Sequence, residues 1–154
     1  ELGNMRKRKV LGIARDTLRF ILEASRSSLP NEFAGLLSVE DEIITEVLIL
    51  PGTENSRMSA LVRLYMLPNM AVAGSAHSHP NGDLRPSEQD IIFFSRTGDY
   101  HLIVGPPFDE ESFVCYDGSG KRRDLAILDV DFKDDGFDDD FEDEFDGELR
   151  EDRP

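Results

Sequence analysis

The stretch AHSHPNGDLRPSEQD, residues 76–90, decides how this sequence is interpreted. It contains two of the chain's three histidines, His77 and His79, which are separated by one residue. Side chains of a β-strand alternate between its two faces, so both imidazoles of a strand here lie on the same side of the sheet. Pro80 ends the strand, because proline has no N–H group for the strand ladder. The pattern therefore predicts two imidazoles at the end of one strand.

Asp90 follows the histidines after a short loop, within the first turn of a predicted helix that begins at Ser87 and ends at Gly98. A loop of this length can fold the helix start back over the strand end and place the carboxylate beside the imidazoles. Two imidazoles and one carboxylate form a zinc ligand set that leaves a fourth position open, as in catalytic sites. An alternative stays open at Ser87, because a serine followed three residues later by an acid also fits a capping box.

The rest of the chain indicates one α/β layered domain over residues 5–130. Apolar residues recur at helical spacing over residues 10–26 and predict a long helix ahead of the sheet. Strands outnumber helices, which is the pattern of a mixed sheet covered by helices rather than of a bundle. Segments rich in β-branched residues predict strands at residues 33–39, 42–50, 60–67, 71–79, 100–107, 112–118 and 124–130.

Composition narrows the classes of protein. A length of 154 residues and a hydrophobic content of 39% suit one globular domain. No apolar run approaches the roughly 20 residues of a membrane-spanning helix, and we expect no membrane partner and no secretory signal. The single cysteine, Cys115, cannot form an internal disulfide, which predicts a reducing, cytoplasmic location.

The net charge of −15 is concentrated at the C-terminal end of the chain. Residues 133–154 hold 12 acids and 3 bases, a net of −9, so the other 132 residues carry −15 + 9 = −6. Without a basic surface, nucleic acid is not expected as a partner. Charge this dense opposes collapse, and the tail, residues 131–154, is predicted to be disordered.

The acidic tail also contains apolar residues at a regular spacing of four, which would form one stripe if the tail became helical on a partner. They are Phe137, Phe141, Phe145 and Leu149. We hypothesise that the tail binds a basic partner or this chain's own basic run, within one molecule or between the copies of an oligomer. That basic run consists of Arg6, Lys7, Arg8 and Lys9.

The spacing in residues 77–90 resembles the JAMM motif of the MPN+ family of zinc metalloproteases. That motif is His-x-His, seven residues, Ser, two residues, Asp, and this chain matches it at every position. The family also has a glutamate upstream, near a strand start, with a glycine three residues on. Glu32 and Gly35 are similar to that pair. The resemblance covers about residues 10–130, which is the domain without the tail.

The resemblance implies a single MPN domain with a mixed, curved β-sheet, a long N-terminal helix and a short helix that carries a metal-ligand aspartate. It implies that one Zn²⁺ ion is held by His77, His79 and Asp90. It implies Glu32 as the general base and Ser87 as a hydroxyl that helps to hold the oxyanion. It also implies peptidase or isopeptidase action at the bond after the C-terminal tail of a ubiquitin-like or sulfur-carrier modifier. Ala76 departs from the family, whose members often carry a bulky residue before the first histidine.

Other interpretations of the same residues stay open. A catalytically silent MPN scaffold is the main alternative, although such relatives have typically lost motif residues that this chain keeps. Together with His77 and His79, the third histidine, His101, would resemble the three-histidine zinc site of carbonic anhydrases. The short chain and its predicted opening helix disfavour that fold. We expect His101 to occupy a half-buried strand position. Cys115 alternates with Phe113 on its strand, which predicts a small core residue.

Overall fold

A computed structural model gives the structure of residues 9–50 and 71–130, which form a mixed β-sheet and two helices. The sheet order in these residues is β6-β5-β4-β2-β3-β1-β7. In chain order the elements are β1 (Gly12–Ala14), α1 (Arg15–Ser28), β2 (Ala34–Glu40), β3 (Ile43–Ile49), β4 (Val72–Ser78), α2 (Glu88–Thr97), β5 (Tyr100–Val104), β6 (Phe113–Tyr116) and β7 (Ile127–Leu128).

The centre of the sheet is the antiparallel pair of β2 and β4. β4 runs parallel to β5 on its other side, and β5 pairs antiparallel with β6. β2 changes register against both of its neighbours next to Ser38. Such irregularities bend a strand and increase its twist, which curves the sheet. The mixed, curved sheet expected from the resemblance is therefore confirmed.

The two helices lie on opposite faces of the sheet. Along β5, Leu102 and Val104 pack in one core cluster with Leu18 and Ile21 of α1. Ile103, between them, packs in another cluster with Phe94 of α2. Because strand side chains alternate between faces, these contacts assign α1 to one face and α2 to the other.

The predicted long helix is wrong at its start. Residues 12–14 form the strand β1, and the helix begins only at Arg15. β1 lies between β3 and β7, where the Ile13 N–H donates to the Ala126 carbonyl. Periodicity within residues 10–26 fits a helix or a short buried strand, and these distant partners decide between them. A Cβ at Gly12 would lie 2.5 Å from the Ala126 carbonyl oxygen, so glycine permits the close approach.

The other predicted elements agree in type, with shifted ends. The strand predicted at residues 100–107 ends at Val104, and the one predicted at residues 124–130 shortens to Ile127–Leu128. The strand predicted at residues 60–67 and the acidic tail, residues 131–154, lie outside the described residues. In the part of the chain that the structure covers, neither helix is long and apolar enough to cross a bilayer.

Candidate metal centre

The end of β4 presents both histidines of the sequence motif on one face. His77 is buried and His79 is partly buried. Their Nε2 atoms lie 3.0 Å apart, and the two rings meet edge to face with centroids separated by 4.8 Å. The prediction that these imidazoles share a side of the sheet is therefore correct.

The start of α2 folds back over the strand end and brings Asp90 to the histidines. Asp90 Oδ1 lies 3.2 Å from His77 Nε2, and Asp90 Oδ2 lies 3.3 Å from His79 Nε2. One ligand atom from each of the three residues falls within 4.8 Å of the others, and Asp90 is 9% exposed. The three donor groups of the motif therefore converge on one small volume.

The capping box predicted as an alternative is also present. Ser87 Oγ accepts a hydrogen bond from the Asp90 N–H at 3.0 Å, and Asp90 Oδ2 accepts one from the Ser87 N–H at 2.9 Å. A carboxylate has two oxygens and about four acceptor sites, so capping uses only part of its capacity. Capping and metal binding by Asp90 are therefore compatible.

The donor set fits a zinc ion. A tetrahedral site with metal–ligand distances of about 2.0–2.1 Å requires neighbouring ligand atoms about 3.3–3.4 Å apart. The two Nε2 atoms lie 3.0 Å apart, each lies 3.2–3.3 Å from a different Asp90 oxygen, and one ligand atom from each residue falls within 4.8 Å of the others, so small shifts would bring a single carboxylate oxygen into a tetrahedral set. Two imidazole nitrogens and a carboxylate oxygen are ligands that zinc prefers, and three protein ligands leave one position for water or substrate. The cluster is compatible with one Zn²⁺ ion.

A backbone contact sets the tautomer of His79. Its Nδ1 lies 2.6 Å from the Asp83 carbonyl oxygen. A carbonyl oxygen can only accept, so Nδ1 must carry the proton and donate. In the neutral ring this leaves the Nε2 lone pair directed at the cluster, as metal binding by His requires. The sequence motif does not reveal this contact, because the group that receives the proton is a backbone carbonyl.

The charges of the cluster favour a cation. Burial opposes ionisation of the Asp90 carboxyl, but its hydrogen bonds with His77 and His79 outweigh burial and hold its pKa well below the usual range. The hydrogen bond with Asp90 raises the pKa of His79, against the effect of partial burial, and the Asp83 carbonyl and the charge of Glu32 add to the increase. The centre thus keeps an ionised carboxylate next to its imidazoles, with a second carboxylate in electrostatic reach.

The strand pair β2–β4 brings the segment that contains Glu32 to the end of the strand that carries the histidines. Ala34 is the register partner of His77, and the Ser78 N–H donates to the Phe33 carbonyl at 2.9 Å. Glu32 directly precedes Phe33, and its charge acts on His79 to raise the pKa of that imidazole. Glu32 is exposed at this strand start. The glutamate 45 positions upstream of His77 is thus brought to the edge of the cluster.

A cleft of about 420 Å³ opens beside the cluster. Ser87 is exposed and lines it with His79. Since Ser87 Oγ already accepts from Asp90, its hydroxyl proton remains available for donation. The rest of the lining comes from the loop between the histidines and α2: Asn81, Asp83, Arg85 and Pro86.

Two residues weighed as alternatives belong to the core. His101 is fully buried, not half-buried as predicted, and stacks on Phe94 at 4.2 Å. Its Nδ1 lies 2.8 Å from Ser75 Oγ and its Nε2 donates to the Gly98 carbonyl at 2.9 Å, so neither nitrogen is directed at the cluster. Cys115 is 3% exposed, as the core prediction requires, and burial raises its pKa to about 12.

Ala76 is also explained by the fold. Its side chain is fully buried and packs in the cluster under α1, on the face opposite to that of His77. The departure from the family pattern at this position therefore concerns core packing rather than the cleft.

A mixed sheet whose central strand ends in His-x-His, with an aspartate supplied by the next helix, defines a JAMM-type metalloprotease domain. The chain belongs to the family described as prokaryotic homologues of the JAB domain, whose model matches residues 14–116. The chain is 44% identical over 140 residues to a probable metalloprotease of Haloferax volcanii, covering 84% of this chain and 86% of that protein.

Solved structures agree with this assignment. The chain is similar to a JAB1/MPN domain protein from Archaeoglobus fulgidus, with a TM-score of 0.64 and 37% identity over 77% of this chain and 99% of that one. It is also similar to a structure described as JAMM, a metalloprotease-like zinc site in the proteasome and signalosome. That match has a TM-score of 0.63 and 36% identity, and it covers 79% of this chain and all of the other.

Proposed function

We propose that this protein is a zinc-dependent isopeptidase that hydrolyses the bond after the C-terminal tail of a ubiquitin-like or sulfur-carrier modifier. The observation that carries the proposal is the convergence of His77, His79 and Asp90 at a cleft, with the charge of Glu32 in electrostatic reach of His79. Membership of a metalloprotease family supports hydrolysis of an amide bond.

In this proposal three residues would hold the ion: His77, His79 and Asp90. Glu32 transfers a proton, and Ser87 donates a hydrogen bond. A zinc ion bound there supplies Lewis acidity and lowers the pKa of water to about 7. The Glu32 carboxylate accepts a proton from the attacking water and delivers it to the departing amine, which is the work of a general base and acid. The Ser87 hydroxyl donates to the oxygen of the scissile carbonyl as negative charge develops there.

The cleft supports a substrate that enters as an extended chain. His79 and Ser87 line it together with polar residues of the connecting loop, so backbone groups of a bound tail find hydrogen-bond partners along it. A modifier that ends in glycines suits such a site, because a tail of small residues needs little space beside the cluster.

The direct test offers the protein two substrates: a modifier joined to lysine by an isopeptide bond, and the same modifier as a linear fusion. We expect zinc-dependent cleavage of the conjugate by the wild-type protein and none by Glu32→Gln, which keeps zinc. Glu46→Gln, a change of an exposed carboxylate on β3, serves as the matched control and is expected to cleave normally. If zinc-loaded wild type cleaves neither substrate, the substrate proposal is wrong.

The same experiment separates the silent scaffold from the enzyme. A scaffold of this fold would retain its structure, show no turnover on either substrate and be unaffected by Glu32→Gln. An enzyme binds one equivalent of zinc, loses it in His77→Ala and loses turnover with it.

A further inference from the structure

The loop that joins the histidine strand to α2, residues 80–86 and called the site loop below, is held mainly by bonds within itself. The Gly82 N–H donates to the His79 carbonyl, and the Asp83 N–H donates to Asn81 Oδ1, both at 2.9 Å. The Asp83 carboxylate pairs with Arg85 at 2.9–3.0 Å, and both side chains are exposed. These bonds shape the loop but do not attach it to the sheet.

Besides the bond from His79 Nδ1 to the Asp83 carbonyl, a hydrogen bond from β6 attaches the site loop to the sheet. Tyr116, on β6, donates its hydroxyl proton to the Leu84 carbonyl at 2.5 Å. Tyr116 is 3% exposed, and its ring stacks near Phe94 with a centroid distance of 6.2 Å. The Leu84 side chain packs into the same cluster, with Ile103 and Phe94. A tyrosine 32 positions away from Leu84 therefore anchors the middle of the loop.

The approach of the loop to the sheet also needs Gly105. A Cβ at this position would lie 2.9 Å from Leu84 Cδ2 and 3.2 Å from the His79 carbonyl oxygen. The space for Leu84 beneath the loop exists because Gly105 has no side chain. The hydrogen bond from Tyr116 and the packing over Gly105 thus both hold Leu84.

The anchored carbonyl is the neighbour of the carbonyl that orients His79. Leu84 accepts from Tyr116, and Asp83, directly before it, accepts from His79 Nδ1 at 2.6 Å. Consecutive peptide planes turn only about the two soft dihedrals of the residue between them. Restraining the Leu84 carbonyl therefore restrains the Asp83 carbonyl, and with it the ring of His79.

We propose that Tyr116 is a positioning residue for the metal centre: through the Leu84 carbonyl it holds the site loop so that the Asp83 carbonyl keeps His79 in its metal-binding tautomer. Its effect on zinc affinity rests on the proposed function, whereas its effect on the His79 ring does not. Groups that orient a metal-binding histidine from outside typically change affinity by about 10–100-fold when removed.

The test compares Tyr116→Phe with Tyr100→Phe. Both substitutions remove one hydroxyl from a buried tyrosine, but the Tyr100 hydroxyl lies against Arg123 and not against the site loop. We expect zinc affinity, measured by competition with a chelator, to fall about tenfold in Tyr116→Phe and to stay near wild type in Tyr100→Phe. In the metal-free protein, NMR is expected to show a slowly exchanging His79 Nδ1 proton that exchanges faster in Tyr116→Phe only.

Unchanged zinc affinity and an unchanged His79 proton in Tyr116→Phe would overturn the inference. If the wild-type protein binds no zinc, the proposed function fails, and the His79 proton alone decides the role of Tyr116. If Tyr116→Phe does not fold, the hydroxyl proton of Tyr116 in wild type decides: protection from exchange supports the bond to Leu84, and rapid exchange excludes it.

Discussion

Phe33 and Ser78 are joined by two hydrogen bonds across the centre of the sheet. The Ser78 N–H donates to the Phe33 carbonyl at 2.9 Å, and the Phe33 N–H donates to Ser78 Oγ at 2.8 Å. Phe33 is the chain neighbour of Glu32, the proposed general base, and Ser78 is the neighbour of both histidines. The two hydrogen bonds thus couple the proposed base to the metal centre.

Replacing Ser78 by alanine is expected to misplace Glu32. The buried Phe33 N–H would lose its acceptor, at a cost of about 1–3 kcal/mol in the free energy of unfolding. Turnover is expected to fall more than zinc affinity, since both imidazoles stay on β4. Denaturant unfolding and a zinc titration measure the two effects. Ser27→Ala, an exposed serine of α1, is the control and is expected to change neither.

Two substitutions of Asp90 separate its two roles. Asp90→Asn keeps an acceptor for the Ser87 N–H and is expected to retain the thermal stability of α2 while losing most zinc affinity, because the charge is gone. Asp90→Ala is expected to lose zinc affinity and also about 1 kcal/mol of stability, because the Ser87 N–H loses its acceptor. Thermal unfolding without metal and a zinc titration measure these effects. Equal stabilities of the two variants would show that the bond from the Ser87 N–H to this side chain contributes nothing.

His101 is expected to make stability depend on pH. Burial lowers its pKa to about 4, against an ordinary value of 6.5. Between these values the unfolded chain binds a proton that the folded chain does not, so the free energy of unfolding falls as the pH falls from 6.5 towards 4. Stability is fully present above 6.5.

The measurement is denaturant unfolding across that pH range in wild type and His101→Gln. The variant is expected to show a slope smaller by about 1 kcal/mol per pH unit. Parallel slopes would mean that groups other than His101 cause the dependence.

Cys115 is expected to be unreactive in the folded protein. It is 3% exposed, and burial raises its pKa to about 12, so almost no thiolate exists at neutral pH. Labelling with iodoacetamide is expected only after unfolding, and proteolytic activity is expected to survive treatment of the native protein. Loss of activity with labelling of the native thiol would indicate cysteine chemistry.

The motif residues could be read from the sequence because their geometry is local. An i, i+2 spacing sets two imidazoles on one strand face, and Ser87 and Asp90 are joined by one helical turn. Contacts between segments that are distant in sequence could not be predicted in this way, because no local spacing specifies them. β1 lies within a stretch whose spacing also fits a helix, and only its partners at Ile43 and Ile127 make it a strand. The burial of His101 follows from packing against Phe94.

The sequence by itself determined the chemistry of the centre. The residue types give the donor atoms, and strand and helix periodicity brings those that are close in sequence to the same place. Only the tertiary structure decided which distant residues meet there. Glu32 comes near His79 because its neighbour Phe33 is bonded to Ser78, and Tyr116 reaches the site loop because β6 pairs with β5. Register and sheet order arise from the packing of the whole core, and no local pattern along the chain encodes them.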